Sequence, residues 1–361
     1  MKKLLYIGHA YHNKTKSTQF LQDLFKTVYT VETFDFDPYN DTYDIFNKLE
    51  GKTFDVVVIF QIAPNIDKLK QLINCQKFVF FPMYDGSGNA SDEFWYSYRN
   101  VKIINFSKTL HNRLISKGLD SHYIQFFPKP AEKIVKGNTK FIFFWQRINN
   151  ININLVAKLF SKTKIDKIHI HKAIDPQHSF IEPNGKMPFD IEYSEWYENK
   201  SDMLKDIEEA QIYIAPRIYE GIGMSFLEAM AMGRCVVAPN LPTMNEYIEQ
   251  GQNGVLYDIN KIEPLDNFDA IKLGKNAFNY INQGYKKWEK EKNNILQWVI
   301  EPLNINKKLL KKLKCRQHKT VTYKLFGFLP ILKIKYKNSE IKIHILGRVP
   351  LLTINNKEIL K

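Results

Sequence analysis

EGIGMSFLEAMAMG, Glu220 to Gly233, is the stretch whose reading decides the fold of this chain. Just before it, Ile212 to Ala215 form a short apolar run that stops at Pro216, the pattern of a buried strand. Gly221 and Gly223 then permit a tight turn and a close backbone approach to a ligand. From about Met224 the residues are strong helix formers, through Phe226, Leu227, Glu228 and Ala229 to Met232, and Gly233 ends the run. CVVAPN, Cys235 to Asn240, reads as the next buried strand. A glycine turn feeding a helix aims unpaired N–H groups and the positive helix end at one point, which is a seat for phosphate.

The carboxylates in the stretch need a separate reason. Glu220 precedes the turn and Glu228 lies in the first turns of the helix. A carboxylate beside a phosphate seat repels the ligand unless it serves another part of it. Sugar and ribose hydroxyls are such parts, because they donate strongly to a carboxylate. The arrangement therefore suits a molecule that is sugar, diphosphate and nucleoside in series. The plainer alternative is a βαβ packing turn with two solvated glutamates.

The stretch resembles the signature of the retaining glycosyltransferases of the two-Rossmann-domain (GT-B) fold, in the group-1 or family-4 class. Their pattern is Glu, Gly-Phe-Gly, a second Glu eight positions after the first, Ala-Met-Ala and Gly; here Ile222 stands where Phe is usual. Cys235 to Asp258 continues the likeness with strand, loop, Glu, and an Asn-Gly before an apolar strand. The resemblance is strong over Glu220–Gly233, moderate over 100–260, weak in the first 100 residues and absent after about 300. It implies sugar transfer from a nucleotide-sugar with retained anomeric configuration. Glu228 would hold the ribose hydroxyls and Glu220 would face the donor sugar. The amides around Gly221, Gly223, Met224 and Ser225 would meet sugar hydroxyls and the diphosphate. Arg147 would contact the donor phosphates and stabilise charge on the departing diphosphate. The family's usual Lys five positions later is Asn152 here, which leaves that pair incomplete, with Lys172 one candidate substitute.

Length and charge agree with such a body. At 361 residues the chain exceeds the single-core limit of about 250–300 and predicts two domains. The opening run MKKLLYIGHAYHN is too short in apolar residues for a signal peptide, and no stretch is long and apolar enough for a transmembrane helix. Cys75, Cys235 and Cys315 form neither a zinc pattern nor a disulfide framework. The net charge of +14 is unevenly placed: residues 303–361 hold 15 Lys and Arg against Glu340 and Glu358, a net of +13. The rest of the chain is nearly neutral. A basic tail of this kind suits an anionic membrane surface, with a solvated basic helix and a β-appendage packed on the body as the alternative, and nucleic acid as a reading with no recognised fold behind it.

Apolar runs rich in β-formers recur at Lys3–Gly8, Asp55–Phe60, Lys77–Pro82, Lys102–Ser107, Lys140–Arg147 and Lys167–His171, with helical patterns between. They predict α/β architecture: a GT-B fold with two doubly wound Rossmann-like domains facing a cleft and a basic C-terminal β-rich appendage. The acceptor domain is expected over 1–135, the donor domain over 136–300, and the appendage over 301–361. One late helix is expected over about Ile271–Ile300. In the appendage, Leu325–Ile334 and Ile345–Ile354 align at an offset of 20 residues as two hairpin-like units, and Leu309, Leu310 and Leu313 share a face of a lysine-rich helix.

In doubly wound sheets ligands sit beyond the carboxyl ends of the strands, where Gly8, Asp85, Arg147 and Glu220 all fall. Gly8, His9, His12 and Lys14 form a possible acceptor or phosphate loop, or a solvated polar one. Asp85 is a candidate to take or hold the acceptor hydroxyl proton, with an Asx turn as its alternative. Ser107 is explained by N-capping. His169 and His171 alternate along a strand and make a poor metal pair. The resulting expectation is a metal-independent, cofactor-free enzyme moving sugar from UDP- or GDP-sugar to a lipid-linked or membrane-held glycan in surface polysaccharide assembly (capsule, O-antigen or lipopolysaccharide). It would be cytoplasmic and peripheral on the inner membrane face. A nucleotide-sugar epimerase or phosphorylase, or a non-catalytic membrane-surface adaptor, are the rival readings.

Overall fold

Runs such as VVVIF (Val56–Phe60), apolar at every position, can be buried on both faces only in a parallel sheet covered by helices. The computed structural model describes residues 2–316 and, beyond them, the strands His318–Leu325, Leu329–Lys337, Glu340–Ile345 and Val349–Asn355. Six strands form the first sheet: β1 (Lys2–His9), β2 (Tyr29–Phe36), β3 (Val56–Phe60), β4 (Phe78–Phe81), β5 (Lys102–Asn105) and β6 (Ser121–Tyr123). All pairings are parallel and the order is β2-β1-β3-β4-β5-β6.

A second parallel sheet follows, of β7 (Asn138–Trp145), β8 (Lys167–His171), β9 (Asp190–Ser194), β10 (Ala210–Ile214), β11 (Cys235–Pro239) and β12 (Val255–Tyr257). Its order is β12-β11-β10-β7-β8-β9. Each sheet therefore has one place where the winding reverses, between β1 and β3 in the first and between β7 and β10 in the second. Chains leave adjacent strands there in opposite directions and open a crevice. The expected α/β architecture with two doubly wound, Rossmann-like domains is what is found. Strands β2, β6 and β9, which carry charged or hydroxyl residues in place of an apolar run, were not foreseen; each lies near or at a sheet edge and is only partly buried.

One buried cluster runs through both domains, joining Val58, Phe81 and Phe106 to Phe143, Phe226 and Met230, and the outer face of each sheet has its own core. The connection between the domains is pinned. Arg234, fully buried, donates to the carbonyls of Ala210 (2.8 Å), Glu208 (2.8 Å) and Val135, and Gly137 N donates to Gln211 Oε1 at 3.1 Å.

The late helix is two helices, Ala270–Glu291 and Asn294–Ile300. The turn at Lys292–Asn293 lets two tryptophans dock separately on the first domain: Trp288 against Phe20 and Phe126, and Trp298 stacked on His122 at 4.8 Å. The chain thus crosses back to the first domain. A buried ion pair between Lys102 and Asp120 (2.9 Å) anchors the crossing, Lys102 donating to the Pro302 carbonyl and Asp120 accepting from Asn304 N.

The lysine-rich helix, Lys307–Arg316, corrects an expectation. Leu310 and Leu313 are buried in the outer core of the first domain. Its leucine face is therefore taken by protein and is not open to a membrane. Beyond it, β13 (His318–Leu325), β14 (Leu329–Lys337), β15 (Glu340–Ile345) and β16 (Val349–Asn355) make an antiparallel sheet of two hairpins. Each hairpin ladder skips one residue, Ile331 in the first and Leu351 in the second, which restates the 20-residue repeat. The repeat glycines Gly327 and Gly347 lie outside the described residues. The register pairs Lys333 with Thr322 and His344, and Lys335 with Thr320 and Lys342.

Candidate active site

The reversal point of the second sheet gathers charge. Arg147 stands two residues beyond β7, Arg217 and Glu220 just beyond β10, and Asp175 on the loop after β8, so three adjacent strands deliver their ends to one place. Asp175 is shared by the two arginines. Its Oδ1 accepts from Arg147 Nε (2.9 Å) and Nη2 (2.7 Å), and its Oδ2 from Arg217 Nε (2.8 Å) and Nη2 (2.5 Å). The remaining Arg217 nitrogen, Nη1, donates to Asp85 Oδ2 at 3.0 Å. Asp85 belongs to the first domain, on the short helix Tyr84–Ser87 that follows β4. The pair therefore spans the cleft. Arg147 also lies over the Trp145 ring, 4.6 Å from its centroid, which fixes the plane of its guanidinium.

Glu220 sits among these groups, 7% exposed, and its Oε1 has no hydrogen-bond partner among the described residues. Burial pushes its carboxyl up to about 7, against the pull of Arg217 and Arg147 and with help from Asp85 and Asp175. Asp85 is also pushed up by burial, although Arg217 and the Gly86 amide hold it down. A buried acid poised near neutrality, with one oxygen unpartnered among the described residues, is suited to face a polar ligand group.

The glycine turn has the conformation foreseen for it. Gly223 is left-handed, at φ +82°, and a Cβ there would fall 2.0 Å from the Phe226 ring. A Cβ on Gly221 would meet the Met83 side chain of the opposite domain at 2.8 Å. The helix Met224–Ala231 begins its ladder with Leu227 N on Gly223 O (3.1 Å), so the amides of Met224 and Ser225 precede the ladder, in a partly exposed first turn. Glu228, on the same helix, is largely buried and ion-paired with Lys200.

On the first domain the polar loop is divided. Gly8 and His9 end β1; the His9 ring lies 5.8 Å from that of His12, and its Nδ1 accepts from Tyr11 N at 3.1 Å. His12 is held inward, its Nδ1 on Ser17 Oγ (2.6 Å) and its Nε2 on Gln61 Oε1, across the reversal point between β1 and β3. Burial lowers both histidines below their ordinary range. Lys14 lies in the short helix Tyr11–Thr15. Tyr11, on that helix, feels Arg147, Asp175 and Arg217, and burial raises its hydroxyl.

Asn152 is accounted for. Its side chain accepts from Asn154 N (3.0 Å) and Leu155 N (3.1 Å) and caps the helix Ile153–Leu159. Lys172 points its ammonium at the rings of Tyr193 (3.9 Å) and Phe180 (4.5 Å). Arg217, Asp175 and Lys200 were missed by the sequence reading. A signal existed for Arg217, which follows a strand end as Arg147 does; Asp175 reaches the site only because β8 pairs with β7. Ser107 is the N-cap of Lys108–Ser116, as expected, but it also donates to Glu246 Oε1 (2.9 Å), whose carboxylate accepts from Lys108 N (2.7 Å) and Thr109 N (2.9 Å). That second-domain glutamate ties the walls of the cleft together. His169 and His171 both bond Ser194 Oγ, at 2.8 and 3.0 Å.

Residues 186–269, which include the glycine turn, match the family described as "Glycosyl transferases group 1". No curated protein matches the chain. Among solved structures, sucrose-phosphate synthase from Thermosynechococcus elongatus is similar at 14% identity and a TM-score of 0.57, over 82% of this chain and 98% of that one. The lipopolysaccharide outer core galactosyltransferase WaaB is similar at 14% and 0.53, over 82% and 99%. Anabaena HepE, in complex with UDP and glucose, is similar at 11% and 0.53, over 82% and 100%. The chain spans 55% of the length of TarM, a further match. The likenesses to the synthase, WaaB and HepE establish the GT-B fold.

Proposed function

We propose that this chain is a glycosyltransferase of the group 1 type that moves a sugar from a nucleotide-sugar held by the second domain to an acceptor entering from the first. The observation that carries the proposal is the meeting of Arg147, Glu220 and the amide turn Gly221–Ser225 at the reversal point of the second sheet. The diphosphate lies on the helix N-terminus and the guanidinium. Glu228 takes the ribose hydroxyls, for which it exchanges Lys200. Glu220 meets the donor sugar with its unpartnered oxygen. The structure named for HepE holds UDP and glucose, which supports a uridine or related nucleotide as donor.

Transfer retains the anomeric configuration in this reading, as the Glu220–Gly233 signature implies. The acceptor hydroxyl approaches from the face the diphosphate leaves, and a departing phosphate oxygen receives its proton. Positioning and charge stabilisation in a closed cleft supply the rate. Thermal-shift screening of the full chain against UDP-, GDP-, CMP- and ADP-sugars tests the donor. Stabilisation by one nucleotide series is expected, and none by any series refutes the proposal. NMR of the product's anomeric proton tests retention.

The acceptor is held at an anionic membrane surface, as a lipid-linked glycan of the surface-polysaccharide kind, on the inner face of the plasma membrane. The support is the net +13 of residues 303–361. Adsorption is worth about 1 kcal/mol per basic residue near such a surface. Removal of 317–361, which spares the docked helix Lys307–Arg316, abolishes co-sedimentation with phosphatidylserine vesicles; equal sedimentation of the shortened chain refutes the membrane role.

A further inference from the structure

Arg217 is the second cation of the reversal point. It is bound on one side to Asp175, which it shares with Arg147, and on the other to Asp85 across the cleft. We propose that Arg217 is a diphosphate ligand of the donor site, acting with Arg147, and that Asp175 and Asp85 hold its place while the site is empty. The inference rests on the donor reading above and adds a binding residue that the signature does not supply.

Three observations carry it. First, Asp175 presents one oxygen to each guanidinium, and each guanidinium approaches with Nε and Nη2. Two forks converging on one carboxylate form a receptor for a compact dianion, because a phosphate offers the same paired oxygens. Second, Arg217 lies three residues before Glu220 and on the strand next to Arg147's, so the forks, the buried acid and the glycine turn share one crevice. Third, the position where the signature expects a second base is spent elsewhere: Asn152 caps a helix, and Lys172 lies on aromatic rings. The chain has regained the second charge from a neighbouring strand end.

A purely structural role competes with this, since Arg217 also bridges the domains through Asp85. The two roles predict opposite effects for the partner. A strut fails equally when either end is removed. A ligand that a carboxylate merely parks binds its anion no worse, or better, when the competing carboxylate is neutralised.

Calorimetry of the full chain with UDP, UMP, GDP and GMP separates them. Arg217→Gln should lower nucleoside diphosphate affinity about 30-fold while moving monophosphate affinity by less than about threefold, as loss of a charge-assisted fork predicts. Arg217→Lys, which keeps the charge and loses the fork, should fall between, and it carries the test if the glutamine variant does not fold. Asp85→Asn should bind the diphosphate as tightly as the natural chain or a few times tighter. An unchanged diphosphate affinity in Arg217→Gln, an equal loss for mono- and diphosphate, or a loss in Asp85→Asn matching that in Arg217→Gln overturns the inference while leaving the donor reading intact. A natural chain that binds no nucleoside diphosphate removes the donor reading and this inference with it.

Discussion

The two sheets reverse their winding once each, and the two reversal points are built differently. Between β7 and β10 stand two guanidiniums, two carboxylates and a left-handed glycine turn. Between β1 and β3 stand His9, His12 and Gln61: His12 is bonded to Gln61 and Ser17, and His9 accepts from Tyr11 N. The first arrangement is a set of fixed charges at a helix N-terminus; the second is a set of neutral donors and acceptors. A diphosphate has to be neutralised by charges already in place, because moving charged groups at the moment of binding is costly in a desolvated crevice. An acceptor hydroxyl needs only orientation. In the function proposed above, the same topological device is thus fitted to two chemistries by the residues at the strand ends.

The comparison breaks most sharply at Glu220. Glu220→Gln is expected to lower turnover by at least ~100-fold, the scale of losing one electrostatic group at a reacting centre, read as kcat with donor in excess. The same variant should gain stability in alkaline buffer. The folded carboxyl, at about 7, lies above its ordinary 4.5, so the native state binds the proton more tightly and stability falls as pH rises from about 4.5 to about 7. A glutamine removes that loss, worth up to about 3 kcal/mol, and flattens the melting temperature between pH 5 and 8. A stability curve with the same slope in both proteins would show that Glu220 is not the buried titrating group.

Arg147→Ala tests the charged seat itself. Diphosphate affinity should drop by about 2 kcal/mol, the worth of a hydrogen bond to a charged group, and calorimetry with inorganic pyrophosphate would show it without a nucleoside. Glu228→Ala sharpens the division within that wall. It should weaken nucleoside diphosphate by about 1–2 kcal/mol and leave pyrophosphate unaffected, because its proposed role is towards hydroxyls. An equal loss for both probes would place Glu228 on the phosphate instead.

The smallest effect is expected at the other reversal point. His12→Ala should leave donor affinity within a factor of about two and raise the acceptor KM a few-fold, since it loosens a hydrogen-bonded pair and removes no ligand charge. A large loss of donor affinity in this variant would erase the contrast between the two walls.

The glycine turn and the apolar strands of the second domain were legible beforehand. Gly223 is readable because only glycine takes φ +82° there without strain, and the apolar runs around it because full burial demands them. Arg217 and Asp175 were not legible as a pair. They stand 42 residues apart, and what joins them is the order in which β10, β7 and β8 lie side by side. The leucines of Lys307–Arg316 misled for a related reason: an apolar helix face has the same pattern whether lipid or protein covers it, and here the outer core of the first domain does.

What the amino-acid order determined alone is local: where strands begin and end, where a glycine must turn, and where acids and bases follow a strand. Short-range sterics and apolar periodicity settle these within a few residues. The tertiary structure decided which strand ends become neighbours, that one carboxylate serves two arginines, and that Asp85 reaches across the cleft to Arg217. Ionic and hydrogen-bonded contacts act over about 3 Å, so their partners are set by packing of the sheets and not by distance along the chain.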